Sequence, residues 1–388
     1  MFKRIILIVL DGVGVGALPD AEKYGDQGAA TLQHVAEAAG GLYLPHLEKL
    51  GLGHVVPVTG VAKASVPTGC WGKMVEKSPG KDSITGHWEL AGVVLDHPFA
   101  VYPQGFPEAI INAFITETGL RPLGNIASSG TDILAALGEE HLQTGRPIVY
   151  TSSDSVFQIA AHEDVISPQS LYSLCRQVEK ILLPYNVCRV IARPFQGTNA
   201  SDFYRTSGRH DFPCKPQSQT VLELLEQQGV ATCGVGKIED LFAGEGLSHS
   251  FPTCDNMDGM KKTILALDGI NRGLIMVNLV DFDMLYGHRL DSRGFATALQ
   301  EFDCWLPELM GKMSREDLLI ITADHGCDPT TQGTDHSREY VPLLLFSPAV
   351  SVPRNLGVRQ SFADVGATVA ENFHMSLQAG DSFLSNLK

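Results

Sequence analysis

The sequence predicts an α/β protein in which a mostly parallel central sheet, flanked by helices, is interrupted by a smaller inserted α+β module. Three observations carry that reading. Apolar runs at residues 4–10, 274–280 and 318–323 are continuous rather than alternating, as expected of strands buried on both faces, and each leads into an acid. Helix-period patterns flank these runs. The stretch from about Phe99 to Pro216 differs in texture and is bracketed by Pro98, Pro103 and Pro107 on one side and Pro213 and Pro216 on the other.

In chain order, the first run leads into Asp11, and helical patterns follow at residues 31–39 and, after a Gly-rich segment, at 87–93. The insert reads as helices at 107–118, 131–143 and 169–183 with strands at 147–151, 156–161 and 187–192. Beyond it come helical patterns at 220–228, 257–267, 293–309 and 363–373, interleaved with the second and third runs and a fourth strand at 341–346. The expected division is a core of residues 1–98 and 217–388 and an inserted domain of 99–216. No internal repeat or low-complexity segment interrupts this plan.

Composition narrows the function. The chain has 388 residues, 44% apolar and 19% charged, enough to build a large core and inconsistent with a disordered or disulfide-stapled chain. Lys and Arg total 29 against 44 Asp and Glu, a net charge of −15 that disfavours nucleic acid as a partner. A small phosphorylated substrate stays compatible if cations invert the sign locally. The eight cysteines show no Cys-x-x-Cys pair and read as reduced thiols. Ile5 to Leu10 is too short for a secretory leader, and no stretch approaches the ~20 apolar residues of a membrane span, so a cytoplasmic location without membrane partners is expected.

In parallel sheets of this kind ligands bind beyond the carboxyl ends of the strands. Asp11, Asp283 with His288 five residues on, Asp324–His325 and Asp335–His336 lie at or just past such ends. One Asp at a strand end reads as a turn or helix cap. Four acids and three histidines together can hold two divalent ions, and this mixture suits Mn or Zn better than Ca. A second feature, residues 80–89, places the hydroxyls of Ser83 and Thr85 just before Gly86 and the helix expected from His87. A hydroxyl at a helix N-terminus can attack a phosphoryl group there, and a neighbouring metal ion would ionise it.

Several motifs, in this order, resemble the prokaryotic-type phosphopentomutases of the alkaline phosphatase superfamily. They are Asp11-Gly12, Lys81-Asp82-Ser83-Ile84-Thr85-Gly86-His87-Trp88-Glu89, the segment from Thr151 to Ala160, Asp281-Phe282-Asp283 with Tyr286-Gly287-His288-Arg289, and Thr322-Ala323-Asp324-His325-Gly326 with His336. The resemblance extends from Arg4 past Val341. It implies an alkaline phosphatase-like core with a cap, two Mn2+ ions, and interconversion of ribose 1-phosphate and ribose 5-phosphate, or of the 2-deoxyribose pair, in nucleoside salvage and catabolism. It implies a phosphothreonine enzyme, a pentose 1,5-bisphosphate intermediate, and priming by glucose 1,6-bisphosphate or ribose 1,5-bisphosphate.

Carried over by position, Asp11, Asp324, His325 and the Thr85 oxygen surround one metal, and Asp283, His288 and His336 hold the other. Asp154, Arg193, Arg205 and Lys237 match positions for substrate handling. Where many relatives carry threonines before the nucleophile this chain has Ser83 and Ile84, and position beside Gly86-His87 favours Thr85. Cys327 is expected not to ligate, since a thiolate would turn preference toward Zn.

Two rival functions remain to be weighed: a metal-dependent phosphatase or phosphodiesterase on the same core, and a non-catalytic sugar-phosphate binding protein. A mutase must keep water from its phosphoenzyme, so the insert is expected to act as a lid, which hydrolysis would not need. The dinucleotide-like run Gly12 to Ala17 is a poor rival, because Asp11 would face the pyrophosphate.

Overall fold

The computed structural model describes residues 1–152 and 155–387. Two compact units divide the chain: Met1–His97 with Pro216–Lys388, and Pro98–Lys215.

The first unit is built on an eight-stranded sheet. Its strands run, edge to edge, His249–Phe251, Ala231–Val235, Gly273–Leu279, Arg4–Leu10, Asp317–Thr322, Val341–Phe346, Cys70–Met74 and Asn355–Arg359. The first five are mutually parallel, whereas Val341–Phe346 runs antiparallel to both its neighbours. The cause of that reversal is the connection: residues 323–340 contain no helix, so the chain returns from the carboxyl edge without a crossover. The continuous apolar runs are explained by burial on both faces, with every residue of Gly273–Leu279 and of Asp317–Thr322 buried. Among the covering helices are Thr31–Ala38, Asn256–Gly269, Ser292–Lys312 and Ala363–Asn372. The short strands Cys70–Met74, Ala231–Val235 and His249–Phe251 were not visible as apolar runs; two carry an internal glycine and the third has only three residues.

In the second unit Leu123–Ala127, Ile148–Thr151, Val156–His162, Arg189–Gln196 and Tyr204–Arg205 form a sheet, with His210–Pro213 also paired to Arg189–Gln196. Alternation along its strands separates two cores. Val149, Phe157, Ile159 and Val190 pack with Ile110, Phe114, Leu171 and Val178 of the helices Glu108–Thr118 and Pro168–Leu182. Ile148, Tyr150, Ala160 and Phe195 face Ile133 and Leu134 of Gly130–Thr144.

Candidate metal centre

Strand register sets the site. Leu10 lies opposite Leu279 and Val9 opposite Thr322, so Asp11, residues 281–283 and Asp324 leave adjacent strands at one level of the carboxyl edge. Asp283 and His288 are brought together by a π-helical turn, Phe282–Gly287, closed by the His288 N–H donating to the Asp283 carbonyl at 3.0 Å. Such a turn puts residues five apart on one face. His288 Nε2 consequently lies 3.2 Å from Asp283 Oδ2, while His336 Nε2 lies 3.5 Å from Asp283 Oδ1. His325 Nε2 stands 3.3 Å from Asp11 Oδ1 and 3.4 Å from Asp324 Oδ2.

These side chains offer three overlapping donor sets, each with its atoms within 4.8 Å of one another: Asp11, Asp324 and His325; Asp283, His325 and His336; and Asp283, His288 and Cys327. Two features fit divalent cations. The Nδ1 atoms of His325 and His288 face the carbonyls of Gly326 and Thr334, which fixes Nδ1 as a donor and turns each Nε2 toward the carboxylates, the nitrogen on which a cation would take the place of a proton. Asp283 Oδ1 is buried without a hydrogen-bond donor, a costly state for a carboxylate that a coordinated cation relieves.

The electrostatics agree. Burial disfavours charge on His325, yet Asp324, Asp11 and Asp283 hold its pKa well above the ordinary imidazole value. Burial and the neighbouring His325 push His336 well below it. At Asp283 burial is outweighed by the His288 hydrogen bond and by His336 and His325, so its pKa falls below the usual carboxylate range. The carboxylates thus draw positive charge into the space between them. Cys327 is different: burial and Asp283 push its thiol strongly up, which makes it a neutral neighbour of the oxygen and nitrogen donors.

The Thr85 hydroxyl, expected beside one of the metals, is engaged by a helix cap. The helix expected from His87 begins four residues earlier, as Ser83–Leu90, with Asp82 as its N-cap accepting from the Thr85 N–H at 3.0 Å. Thr85 in the first turn therefore faces the cap, and its hydroxyl donates to Asp82 Oδ2 at 2.6 Å. Ser83 instead directs Oγ into the cluster, 3.1 Å from His325 Nε2 and 3.5 Å from Asp11 Oδ1. The hydroxyl beside the donors belongs to Ser83. Gly86 permits this placement, because a Cβ there would stand 2.2 Å from the Asp324 carbonyl oxygen.

Arg338, which the sequence patterns do not single out, anchors the segment leading to Ser83. Its guanidinium reaches Glu76 Oε2 at 2.6 Å, the carbonyls of Ser78 and Gly80 at 2.8 and 2.6 Å, and Asp20 Oδ2 at 3.2 Å. Nearby, Lys81 bridges Asp26 and Asp335, each at 3.1 Å, and the other oxygen of Asp335 accepts from the His336 N–H at 2.9 Å and lies 3.7 Å from His336 Nδ1. Of the other expected residues, Lys237 is exposed in the first unit, before the short helix Ile238–Leu241. Arg193 and Arg205 belong to the second unit; Arg193 is partly buried and donates to Gln158 Oε1 at 3.0 Å, and Arg205 is exposed. Asp154 lies outside the described residues.

A sheet of this topology, with carboxylate and imidazole donors gathered on its carboxyl edge, defines a metalloenzyme, and the model of the metalloenzyme superfamily matches residues 3–377. The more specific relationship comes from curated relatives. The phosphopentomutase of Syntrophotalea carbinolica is 60% identical over 386 residues, covering 100% of this chain and 98% of the relative. That of Caldanaerobacter subterraneus subsp. tengcongensis is 55% identical over 389 residues, with 100% and 98% covered. The chain belongs to the phosphopentomutase family, whose members are isomerases of the phosphomutase type. Among solved structures, a protein from Pyrococcus horikoshii shares the fold with a TM-score of 0.51 at 16% identity, over 98% of this chain and 100% of that one. Leishmania mexicana phosphoglycerate mutase does so with a TM-score of 0.50 at 11% identity, over 98% and 97%. Among the described residues no helix is long and apolar enough to cross a membrane.

Proposed function

We propose that the chain interconverts ribose 1-phosphate and ribose 5-phosphate, and the 2-deoxyribose pair, by carrying a phosphoryl group on Ser83. The observation that supports this reading is the Ser83 hydroxyl, 3.1 Å from His325 Nε2 on the first turn of a helix, inside the donor cluster of a phosphopentomutase-family chain. In this proposal Asp11, Asp324 and His325 hold one Mn2+ ion and Asp283, His288 and His336 the other. When bound, such ions favour the ionised serine oxygen and stabilise charge on the transferring phosphoryl group.

The chain's own groups carry the rest. Phosphorylated Ser83 gives its phosphoryl group to the free hydroxyl of the pentose monophosphate: the bond from Ser83 Oγ to phosphorus breaks, a bond from the sugar oxygen forms, and the proton of that hydroxyl goes to solvent, from which one returns to the sugar oxygen freed in the second transfer. A pentose 1,5-bisphosphate results. After it reorients, Ser83 Oγ attacks its other phosphoryl group, which releases the isomeric monophosphate and restores the phosphoserine. The positive end of the Ser83–Leu90 helix favours the phosphoryl charge throughout.

Arg193, Arg205, Lys237 and Asp154 are the proposed handles for the sugar phosphate, the arginines being suited to a phosphate by their forked donors. A sugar bisphosphate, glucose 1,6-bisphosphate or ribose 1,5-bisphosphate, primes Ser83. A cytoplasmic location belongs to the same proposal and is supported by eight free cysteines.

The test is incubation with Mn2+ and glucose 1,6-bisphosphate, followed by intact-mass and peptide analysis, with ribose 5-phosphate conversion followed by phosphorus NMR. One phosphate on Ser83 and an equilibrium mixture of the two pentose phosphates are expected. Steady release of inorganic phosphate without isomerised product would replace the proposal with a hydrolase.

A further inference from the structure

We infer that Asn278 and His87 are positioning residues that set the carboxylates of Asp11 and Asp324 for the cation on the Ser83 side of the centre. This rests on the proposed two-cation site.

Asn278 is a buried amide in an otherwise apolar strand, Gly273–Leu279, where an unpartnered polar group is costly. Its Nδ2 donates to Asp11 Oδ2 at 2.7 Å and lies 3.4 Å from His87 Nε2. The hydrogens can be assigned from the carboxylate. An ionised Asp11 only accepts, so the amide atom against it is Nδ2, and the second Nδ2 hydrogen faces a His87 Nε2 that carries the lone pair.

The ring proton of His87 is then on Nδ1, which lies 2.8 Å from the Ser83 carbonyl and 3.1 Å from Asp324 Oδ2. His87 is fully buried, four residues beyond Ser83 on the same helix. A chain of contacts therefore runs from Asp11 through Asn278 and His87 to Asp324, with the Ser83 backbone attached to it.

Two details argue that this is more than packing. Asn278 Oδ1 is buried without a partner, so the amide is present for its donors, at the expense of an orphaned acceptor. With Oδ2 engaged, Asp11 is left with Oδ1 facing His325 Nε2 at 3.3 Å and Ser83 Oγ at 3.5 Å. The imidazoles around Asp283 are held differently: His288 faces the Thr334 carbonyl, and His336 approaches Asp283 itself. Loss of Asn278 or His87 should therefore weaken one cation and spare the other.

The experiment is a Mn2+ titration of the whole chain, with free ion counted by its paramagnetic resonance signal, on wild type, Asn278→Leu, His87→Leu and His87→Gln, alongside thermal unfolding of each metal-free protein. Two ions are expected on wild type. One should bind about 10–100-fold more weakly in Asn278→Leu and His87→Leu, with the other unchanged, as for other residues that orient metal ligands. His87→Gln, whose amide can donate to Asp324, should recover most of the loss. Equal weakening of both ions, or of neither, overturns the positioning role, and if Asn278→Leu fails to fold the His87 pair decides. A wild-type protein that binds no pair of ions would instead overturn the two-cation site itself.

Discussion

The Ser83 hydroxyl lies 3.1 Å from Nε2 of His325, while Thr85, two residues on, gives its hydroxyl to Asp82. Ser83→Ala should therefore take up no phosphate from glucose 1,6-bisphosphate and lose at least about 10³-fold in mutase turnover, as expected for removal of a nucleophile. Thr85→Val should still be phosphorylated at residue 83, with a stability loss of about 1 kcal/mol from the weakened cap. Peptide mapping that found the phosphate on Thr85 would reverse the assignment.

Arg193 has its Nε held by Gln158 at 3.0 Å, which orients the rest of the guanidinium. Arg193→Ala should raise KM for ribose 5-phosphate about 10–100-fold, the worth of a hydrogen bond between charged groups, and leave the phosphate on Ser83 intact. Steady-state kinetics with the isolated phosphoenzyme check both halves. Unchanged kinetics would remove Arg193 from substrate handling.

Arg338 and Glu76 are both almost fully buried, with side chains 3% and 1% exposed, at 2.6 Å. Arg338→Met strands that carboxylate and the carbonyls of Ser78 and Gly80, so a loss of about 3–5 kcal/mol is expected in urea unfolding. Arg338→Lys should recover only part, because one ammonium cannot reproduce the fork. A change below about 1 kcal/mol in the methionine variant would show that the segment before Ser83 is held by other contacts.

Asp317 receives Arg4 through Nε at 2.6 Å and Nη2 at 2.7 Å. Burial pushes its pKa up, but the bonds from Arg4 and Ser314 outweigh this and leave it below the ordinary carboxylate value. A depressed acid contributes stability above its unfolded pKa, about 3.9, and loses it as pH falls through the lower folded value. Wild type should exceed Asp317→Asn by about 1.5–3 kcal/mol at pH 7, with the gap narrowing once the pH falls below the unfolded value of about 3.9. Urea unfolding at pH 7, 5 and 3 measures it, and a gap constant over that range would show that the ionised carboxylate is not what Arg4 and Ser314 stabilise.

The acid-terminated runs were legible because strands buried on both faces need uninterrupted apolar residues, and the first polar residue after each marks its carboxyl edge. The spacing of Asp283 and His288 was legible as five, but not as a π-helical turn. Val341–Phe346 was readable as a strand of the sheet, whereas its direction depended on a connection with no helix in it. Short strands at and beside the edge, such as His249–Phe251 and Ala231–Val235, depend on neighbours for their stability and left little periodic signal.

By itself, then, the amino-acid sequence determined which strands are buried on both faces and which carboxylates and imidazoles stand at their ends, since both follow from local patterning. Tertiary structure decided which hydroxyl meets them. Ser83 and Thr85 are two residues apart, about 200° around a helix, so a single turn cannot point both at the donors. Their choice was made by Asp82 capping the Thr85 N–H and by Gly86 lying against Asp324. Asn278 and His87 were hidden for the same reason: a buried amide and a buried imidazole show their purpose only when folding brings distant carboxylates to their donors.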